Sequence, residues 1–107
     1  PGARPEASPH ADVGYESLGF RQILPCWPNE LAQSLATGPY GVIRAKGFVR
    51  DTDGTSWLIQ TVGPRFEAQR AQTLEPAGLV CIGLRGSLDA MALQLLIGPA
   101  SSSVRAS

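Results

Sequence analysis

Few side chains in this sequence are of the kinds that bind metal ions. The 107 residues include one histidine and two cysteines, and neither cysteine belongs to a CxxC pair. A metal site needs several His, Cys or carboxylate ligands that converge on one point. His10, Asp12 and Cys26 are the loose candidates here. We predict no metal site, with His10 and Cys26 as the weak candidates that remain.

The motifs of nucleotide binding and covalent catalysis are also missing from the sequence. A phosphate-binding loop of the form GxxxxGK[ST] supplies clustered backbone amides and a lysine, and no such string occurs. A nucleophile needs an adjacent base, and the single histidine lies in a Pro-rich segment near the N-terminus. We predict that the chain is not an enzyme and holds no cofactor.

The most informative segment is Tyr40–Arg50 (YGVIRAKGFVR), which separates cations from small apolar groups. Side chains of a strand alternate between two faces. One face would bury Ile43, Ala45 and Val49 beneath helices. The other would carry Val42, Arg44, Lys46, Phe48 and Arg50.

Two interpretations of this second face remain open. Arg44, Lys46 and Arg50 can belong to a solvated sheet face on which their methylene stems cover Phe48. Alternatively, the four residues can form a partner-binding face, with a basic rim around an aromatic anchor.

Composition narrows the classes of partner. Nine Lys and Arg balance nine Asp and Glu, so no global field favours nucleic acid or an anionic membrane. No apolar run reaches the ~18 residues of a bilayer span, and the N-terminus lacks a signal-peptide core. We predict a cytoplasmic protein in which Cys26 and Cys81 are reduced thiols. The Pro-rich opening without an initiating Met indicates a piece of a longer protein.

The hydrophobic pattern of the first two thirds predicts a strand, a short helix and a β-hairpin. Residues 15–24 alternate as a half-buried strand. A helix capped by Asn29 would end at Gly38. Asp51–Gly54 is a reverse-turn signal between the basic strand and a returning strand at Trp57–Val62.

The last third predicts one short strand, one interior strand and an apolar helix. Arg65–Glu67 would be the short strand, and Leu79–Leu84 the interior one. Ser87 can cap a helix over Leu88–Ile97, whose small polar surface favours deep burial or a partner. Trp27 and Trp57 have apolar neighbours and are predicted to pack in or beside the core.

These elements predict an α+β domain with the order β-α-β-β-(β)-β-α. Its largely antiparallel, four- to five-stranded sheet would have two helices on one face, forming a two-layer sandwich. We place a flexible lead at residues 1–13, the folded domain at 14–98 and a disordered tail at 99–107.

Five short motifs follow one another along residues 15–97. They are a helix after a proline, a Val-x-Arg-x-Lys-Gly-Phe strand, a Trp strand with Gln and Gly, a Leu-Val-x-Ile-Gly strand and a Leu-Asp-led helix. In this order they resemble the C-terminal domain of the CobW-like proteins, GTP-dependent metal chaperones grouped with cobalamin synthesis. The matching positions are Pro28, Leu31, Leu35, Val42, Arg44, Lys46, Gly47, Phe48, Trp57, Gln60, Gly63, Leu79, Val80, Ile82, Gly83, Leu88, Asp89 and Leu93.

The resemblance implies a non-catalytic accessory domain of a GTPase. It implies GTP with Mg, and zinc or cobalt, for the full-length protein, and the protein's own N-terminal GTPase domain and a client metalloprotein as partners. The chain departs from the family pattern in three places: residues 67–77 lack an aromatic, Leu84 precedes Arg85, and His10 stands where many members have a His-rich tract.

Three functions follow as hypotheses. The first is a protein-interaction domain of a CobW-like GTPase involved in metal trafficking or cobalamin synthesis. The second is a metal- or small-ligand-binding module that uses a cleft between the sheet and the Cys26–Pro28 turn. The third is a regulatory domain unrelated to CobW that forms a homodimer through its sheet. A homo-oligomer is an alternative partner under the first hypothesis as well.

Overall fold

The computed structural model describes residues 14–106, which form one antiparallel sheet and two helices. The strand order across the sheet is β4-β3-β2-β5-β1-β6. This confirms the predicted α+β class and adds a sixth strand to the predicted sheet. The elements are β1 (Tyr15–Phe20), α1 (Pro28–Thr37), β2 (Arg44–Arg50), β3 (Ser56–Val62), β4 (Arg65–Arg70), β5 (Gly78–Leu84), α2 (Ala90–Ile97) and β6 (Ala100–Ala106).

Both helices cover the same face of the sheet, which we call the inner face. The strand register places Leu18, Cys81 and Ala45 side by side on this face, and all three are buried. Helix α1 contributes Leu31 and Leu35 to the same core, and α2 contributes Leu93 and Ile97. Each fully buried Leu or Ile stabilises the fold by about 1.5–3 kcal/mol relative to exposure. Within residues 14–106, neither helix is long and apolar enough to span a bilayer.

Two glycines of the resembling motifs lie where backbone segments approach closely. A Cβ on Gly47 would lie 2.6 Å from Leu79 Cα and closer still to the Gly78 carbonyl oxygen. A Cβ on Gly83 would lie 2.8 Å from Leu88 Cγ and closer to the Gly41 carbonyl oxygen. Real Cβ contacts are not this short, so both positions require glycine.

The turn between β2 and β3 is built around Asp51. Its Oδ1 accepts hydrogen bonds of 2.9 Å from the backbone N–H groups of Asp53 and Thr55. Its Oδ2 accepts a bond of 2.8 Å from Trp57 Nε1. Gly54 supplies the positive φ of 83° that the turn requires. The predicted reverse turn is thereby confirmed.

Several predicted boundaries were wrong by a few residues. The chain bends at Arg21, so the first strand ends at Phe20 and Leu24 is 60% exposed. Helix α1 begins at Pro28, with Trp27 rather than Asn29 at the N-cap, because Pro suits the first helical position. Strand β2 begins at Arg44, and Ile43, predicted to be buried, is 40% exposed.

The predicted disordered tail is wrong for residues 100–106, which form β6 and pair antiparallel with β1. Without β6, the β1 edge would present unpaired N–H and C=O groups. Ser101 Oγ donates a bond of 3.0 Å to the Gly19 carbonyl, and Gln94 Oε1 accepts one of 3.1 Å from Ala100 N–H. The predicted flexible lead, residues 1–13, lies outside the described residues.

Candidate functional site

The sheet face opposite the helices, which we call the outer sheet face, carries the predicted cations. On β2, Arg44 and Lys46 are exposed and Phe48 is half-buried. Strand β2 is one of the two central strands of the sheet. The predicted alternation of the basic strand is therefore confirmed from Arg44 to Val49.

The register defines the neighbours of these side chains. Arg44 lies between Val62 of β3 and Ile82 of β5. Lys46 lies between Gln60 and Val80 in the same way. Three of the four cross-strand neighbours of the two cations are therefore aliphatic, and the fourth is Gln60.

The exposed charges of this face are mostly positive. Arg65 of the edge strand β4 lies opposite Val62, and Glu67 lies opposite Gln60. Among the described strand residues, the exposed charged side chains of the outer sheet face are three cations and one carboxylate, Arg44, Lys46, Arg65 and Glu67. Arg44 and Lys46 make no ion pair or side-chain hydrogen bond within residues 14–106.

Apolar side chains are exposed beside the cations, on the two strands that flank β2. Val62 is 57% exposed and Val80 is 46% exposed. An antiparallel sheet with one solvated face normally carries polar residues on that face. Exposed aliphatic side chains beside cations are instead suited to contact with another protein.

Arg50, the fourth residue of the predicted partner-binding face, differs from Arg44 and Lys46. It is half-buried, and its Nη2 donates a bond of 3.1 Å to the Glu75 carbonyl. The Glu75 N–H also donates a bond of 3.0 Å to Ser56 Oγ, and Ser56 is buried. Arg50 therefore holds the 71–77 loop over one end of the outer sheet face.

The weak metal candidates are not brought together by the described structure. Burial, with a smaller contribution from the Asp51 charge, raises the pKa of Cys26 to about 11. Cys26 is therefore a neutral thiol near pH 7, whereas the thiolate is the metal ligand. Within residues 14–106, no group of three His, Cys, Asp or Glu side chains is placed to hold a metal ion. His10 and Asp12 lie outside the described residues.

Cys81 is a packing residue of the inner face. It is fully buried, and burial raises its pKa to about 12. The two cysteines are both free thiols, as predicted.

Sequence reasoning missed Arg65, Val62 and Val80 as parts of the outer sheet face. Alternation within Leu79–Leu84 could have assigned Val80 to the face opposite Cys81. The partnership of Val62 and Arg65 with Arg44 depends on strand order and register, which the hydrophobic pattern does not contain.

The structure is thus an α+β domain in which helices cover the inner face of the sheet. The outer sheet face is a basic, partly apolar surface. The family model of the cobalamin synthesis protein CobW C-terminal domain matches residues 15–98, and the chain belongs to this family. The match confirms the resemblance, and the prediction of a regulatory domain unrelated to CobW is wrong. It covers the C-terminal domain and includes no catalytic domain. Comparisons with curated proteins and with solved structures found no match.

Proposed function

We propose that this domain is a non-catalytic protein-interaction module of a CobW-like protein that takes part in cobalt or zinc trafficking or in cobalamin synthesis. Its outer sheet face docks an acidic surface of the GTPase domain of the same protein. Docking couples the nucleotide state of that domain to the client metalloprotein that receives the metal.

One observation carries the proposal. Arg44 and Lys46 lie exposed on a central strand, without partners among residues 14–106, between the exposed Val62 and Val80. Exposed aliphatic side chains next to unpaired cations offer a partner both apolar contact and charge complementarity. A helix from the same chain does not cover them within the described structure.

The sign of the charge points to an acidic partner surface. Three exposed cations against one carboxylate repel a basic partner and attract an acidic one. Such charges act mainly on the rate of association and on partner choice, and they are screened by salt. Binding should therefore weaken as ionic strength rises.

The experiment is a charge reversal measured against the GTPase domain of a CobW-like protein produced as a separate chain. We expect the double variant Arg44→Glu, Lys46→Glu to bind at least 10-fold more weakly, with most of the loss in the association rate. Arg21→Glu is the matched control for Arg44→Glu, because Arg21 is an exposed cation in the bend after β1. It should leave Kd within about 2-fold.

Circular dichroism and thermal unfolding of the double variant should match the wild type, since both side chains are exposed. An unchanged Kd for the folded double variant would overturn the proposal. Binding of a client metalloprotein that is lost in the double variant, with GTPase binding unchanged, would also overturn the choice of occupant.

A further inference from the structure

We propose that a second surface, centred on Trp27 at the helix-covered side of the sheet, binds a short segment of a partner protein. The segment carries an Arg or Lys close to an aliphatic side chain. This inference goes beyond the proposed function, because it concerns a different face and a partner of opposite charge.

Trp27 is more exposed than a packing residue should be. It was predicted to lie in or beside the core, yet it is 65% exposed. Trp is highly buried on average, and an exposed one is a frequent anchor of protein interfaces. Within residues 14–106, the Trp27 indole N–H has no hydrogen-bond acceptor.

Two hollows flank Trp27, and both are lined by Trp27 and Glu30. The first, the apolar hollow, has a volume of about 190 Å³ and is also lined by Cys26, Leu31, Ser34 and Leu96. The second, the acidic hollow, has a volume of about 340 Å³ and is also lined by Pro28, Asn29, Asp51, Thr52, Asp53 and Trp57. A ligand that fills both hollows would contact Trp27 and Glu30, which line both of them.

The charge of the acidic hollow selects a cation. Its lining includes Glu30, Asp51 and Asp53 and contains no Lys, Arg or His. Asp51 is already used by the turn, where the hydrogen bond from Trp57 is the main cause that lowers its pKa. Glu30 and Asp53 are exposed and make no ion pair within the described structure. These two carboxylates are therefore available to a cation from outside.

A second indole that lines the acidic hollow, that of Trp57, shows the same chemistry completed within the chain. The Arg70 guanidinium carbon lies 5.7 Å from the ring centroid of Trp57, whose Nε1 donates to Asp51. A cation over an indole with a carboxylate beside it is a stable combination. Trp27 has the carboxylates beside it but no such cation from residues 14–106. An Arg or Lys of a partner would complete the equivalent arrangement.

The apolar hollow on the other side of the indole makes a peptide segment a better fit than a free metal ion or a small amine. An aliphatic side chain would contact Leu31 and Leu96, while its basic neighbour would contact Trp27 and Asp53. Two side chains of one segment can supply both groups, whereas a metal ion or a small amine supplies only the charge. The occupant is thus a basic-apolar segment of a protein.

The test is a titration of the ¹⁵N-labelled 107-residue chain with the capped tripeptide acetyl-Leu-Arg-Leu-amide, followed by NMR. We expect saturable shifts at the Trp27 indole N–H and the Glu30 amide at millimolar peptide. Trp27→Phe and Trp57→Phe assign the two indole signals. The peptide with citrulline in place of Arg is neutral and similar in shape, and it should bind at least 5-fold more weakly.

Matched protein variants separate this surface from the outer sheet face. Glu30→Gln with Asp53→Asn should weaken binding of the Arg peptide at least 5-fold, because it removes both available carboxylates. Glu67→Gln, which removes a carboxylate of the outer sheet face, should leave Kd within about 2-fold.

Three outcomes would overturn the inference: no saturable shift up to about 10 mM peptide, equal affinity for the citrulline peptide, or shifts confined to β2, β3 and β5. Each of these leaves the proposed function intact, because that proposal is tested with Arg44 and Lys46. Loss of GTPase-domain binding in the charge-reversed variant, in turn, has no bearing on the Trp27 indole.

Discussion

The outer sheet face and the surface around Trp27 carry charges of opposite sign. The first has Arg44, Lys46 and Arg65 exposed around aliphatic side chains, and the second has Glu30 and Asp53 beside an exposed indole. Both sets belong to a chain that has nine cations and nine acids in total, which gives a net charge of zero. A neutral chain can therefore present two strong local fields, and its total charge does not decide which partners it binds.

The two surfaces are also constructed differently. The outer sheet face follows from the alternation of side chains along regular strands. The Trp27 surface depends on the N-terminus of α1, on the turn centred on Asp51 and on α2, which supplies Leu96. Small changes in packing should consequently affect the second surface more than the first.

The largest expected effect is a loss of stability when a methyl group is added to β2 at Gly47, where there is no room for a Cβ. Gly47→Ala should lower the free energy of unfolding by about 2–4 kcal/mol, because its Cβ would overlap the backbone at Gly78 and Leu79. Gly78→Ala is the matched control, since a Cβ at Gly78 meets nothing within 4 Å. It should change stability by less than about 1 kcal/mol. Urea unfolding measures both, and equal effects of the two substitutions would contradict the described register of β2 and β5.

An intermediate effect on stability is expected when a polar and an apolar side chain are exchanged on the inner face and on the outer sheet face. Thr61 lies on the inner face at 2% exposure, and its Oγ1 is buried without a hydrogen-bond partner. Thr61→Val should raise the free energy of unfolding by about 1 kcal/mol, because the desolvated hydroxyl is removed. The adjacent Val62 is 57% exposed on the outer sheet face, so Val62→Thr should be neutral within about 0.5 kcal/mol. Destabilisation by Thr61→Val would show that the hydroxyl has a partner in solution.

The smallest effect concerns the acid stability of the turn beside Trp27. The hydrogen bond from Trp57, followed by that from the Thr55 N–H, lowers the pKa of Asp51 below 3.8. A carboxylate with a depressed pKa stabilises the folded state above its unfolded pKa, and this contribution is lost as pH falls through the folded pKa. Between pH 5 and pH 3, the wild type should therefore lose more stability than Asp51→Asn does.

Urea midpoints at pH 7, 5 and 3 measure this difference. Asp53→Asn serves as the control, because the Asp53 side chain accepts no hydrogen bond within residues 14–106. It should follow the pH dependence of the wild type. Parallel curves for Asp51→Asn and the wild type would show that folding does not lower the pKa of Asp51.

Local patterns predicted most of the fold. Alternation along Arg44–Arg50 separated Ala45 and Val49 from Arg44 and Lys46, and glycine in Asp51–Gly54 marked the turn. These features depend on neighbouring residues alone, so a single sequence contains them. The Ser-rich residues of β6 carry no apolar alternation, and that strand forms because the β1 edge needs a partner.

The candidate sites were predicted less completely than the fold. Arg50 matches Arg44 in type and spacing, yet the 71–77 loop, distant in sequence, binds its guanidinium. Trp27 has apolar neighbours along the chain, yet at the N-cap of α1 its side chain is 65% exposed. Both outcomes depend on contacts between distant segments, which neither propensity nor periodicity records.

The 71–77 loop lies over one end of the outer sheet face, at Arg50 and Ser56. Its backbone at Glu75 is held there by a hydrogen bond of 3.1 Å from Arg50 and one of 3.0 Å to Ser56. A protein docked on Arg44 and Lys46 would thus contact this loop if it extended along β2 as far as Arg50. The loop would therefore limit how far such a partner extends along the strands in that direction.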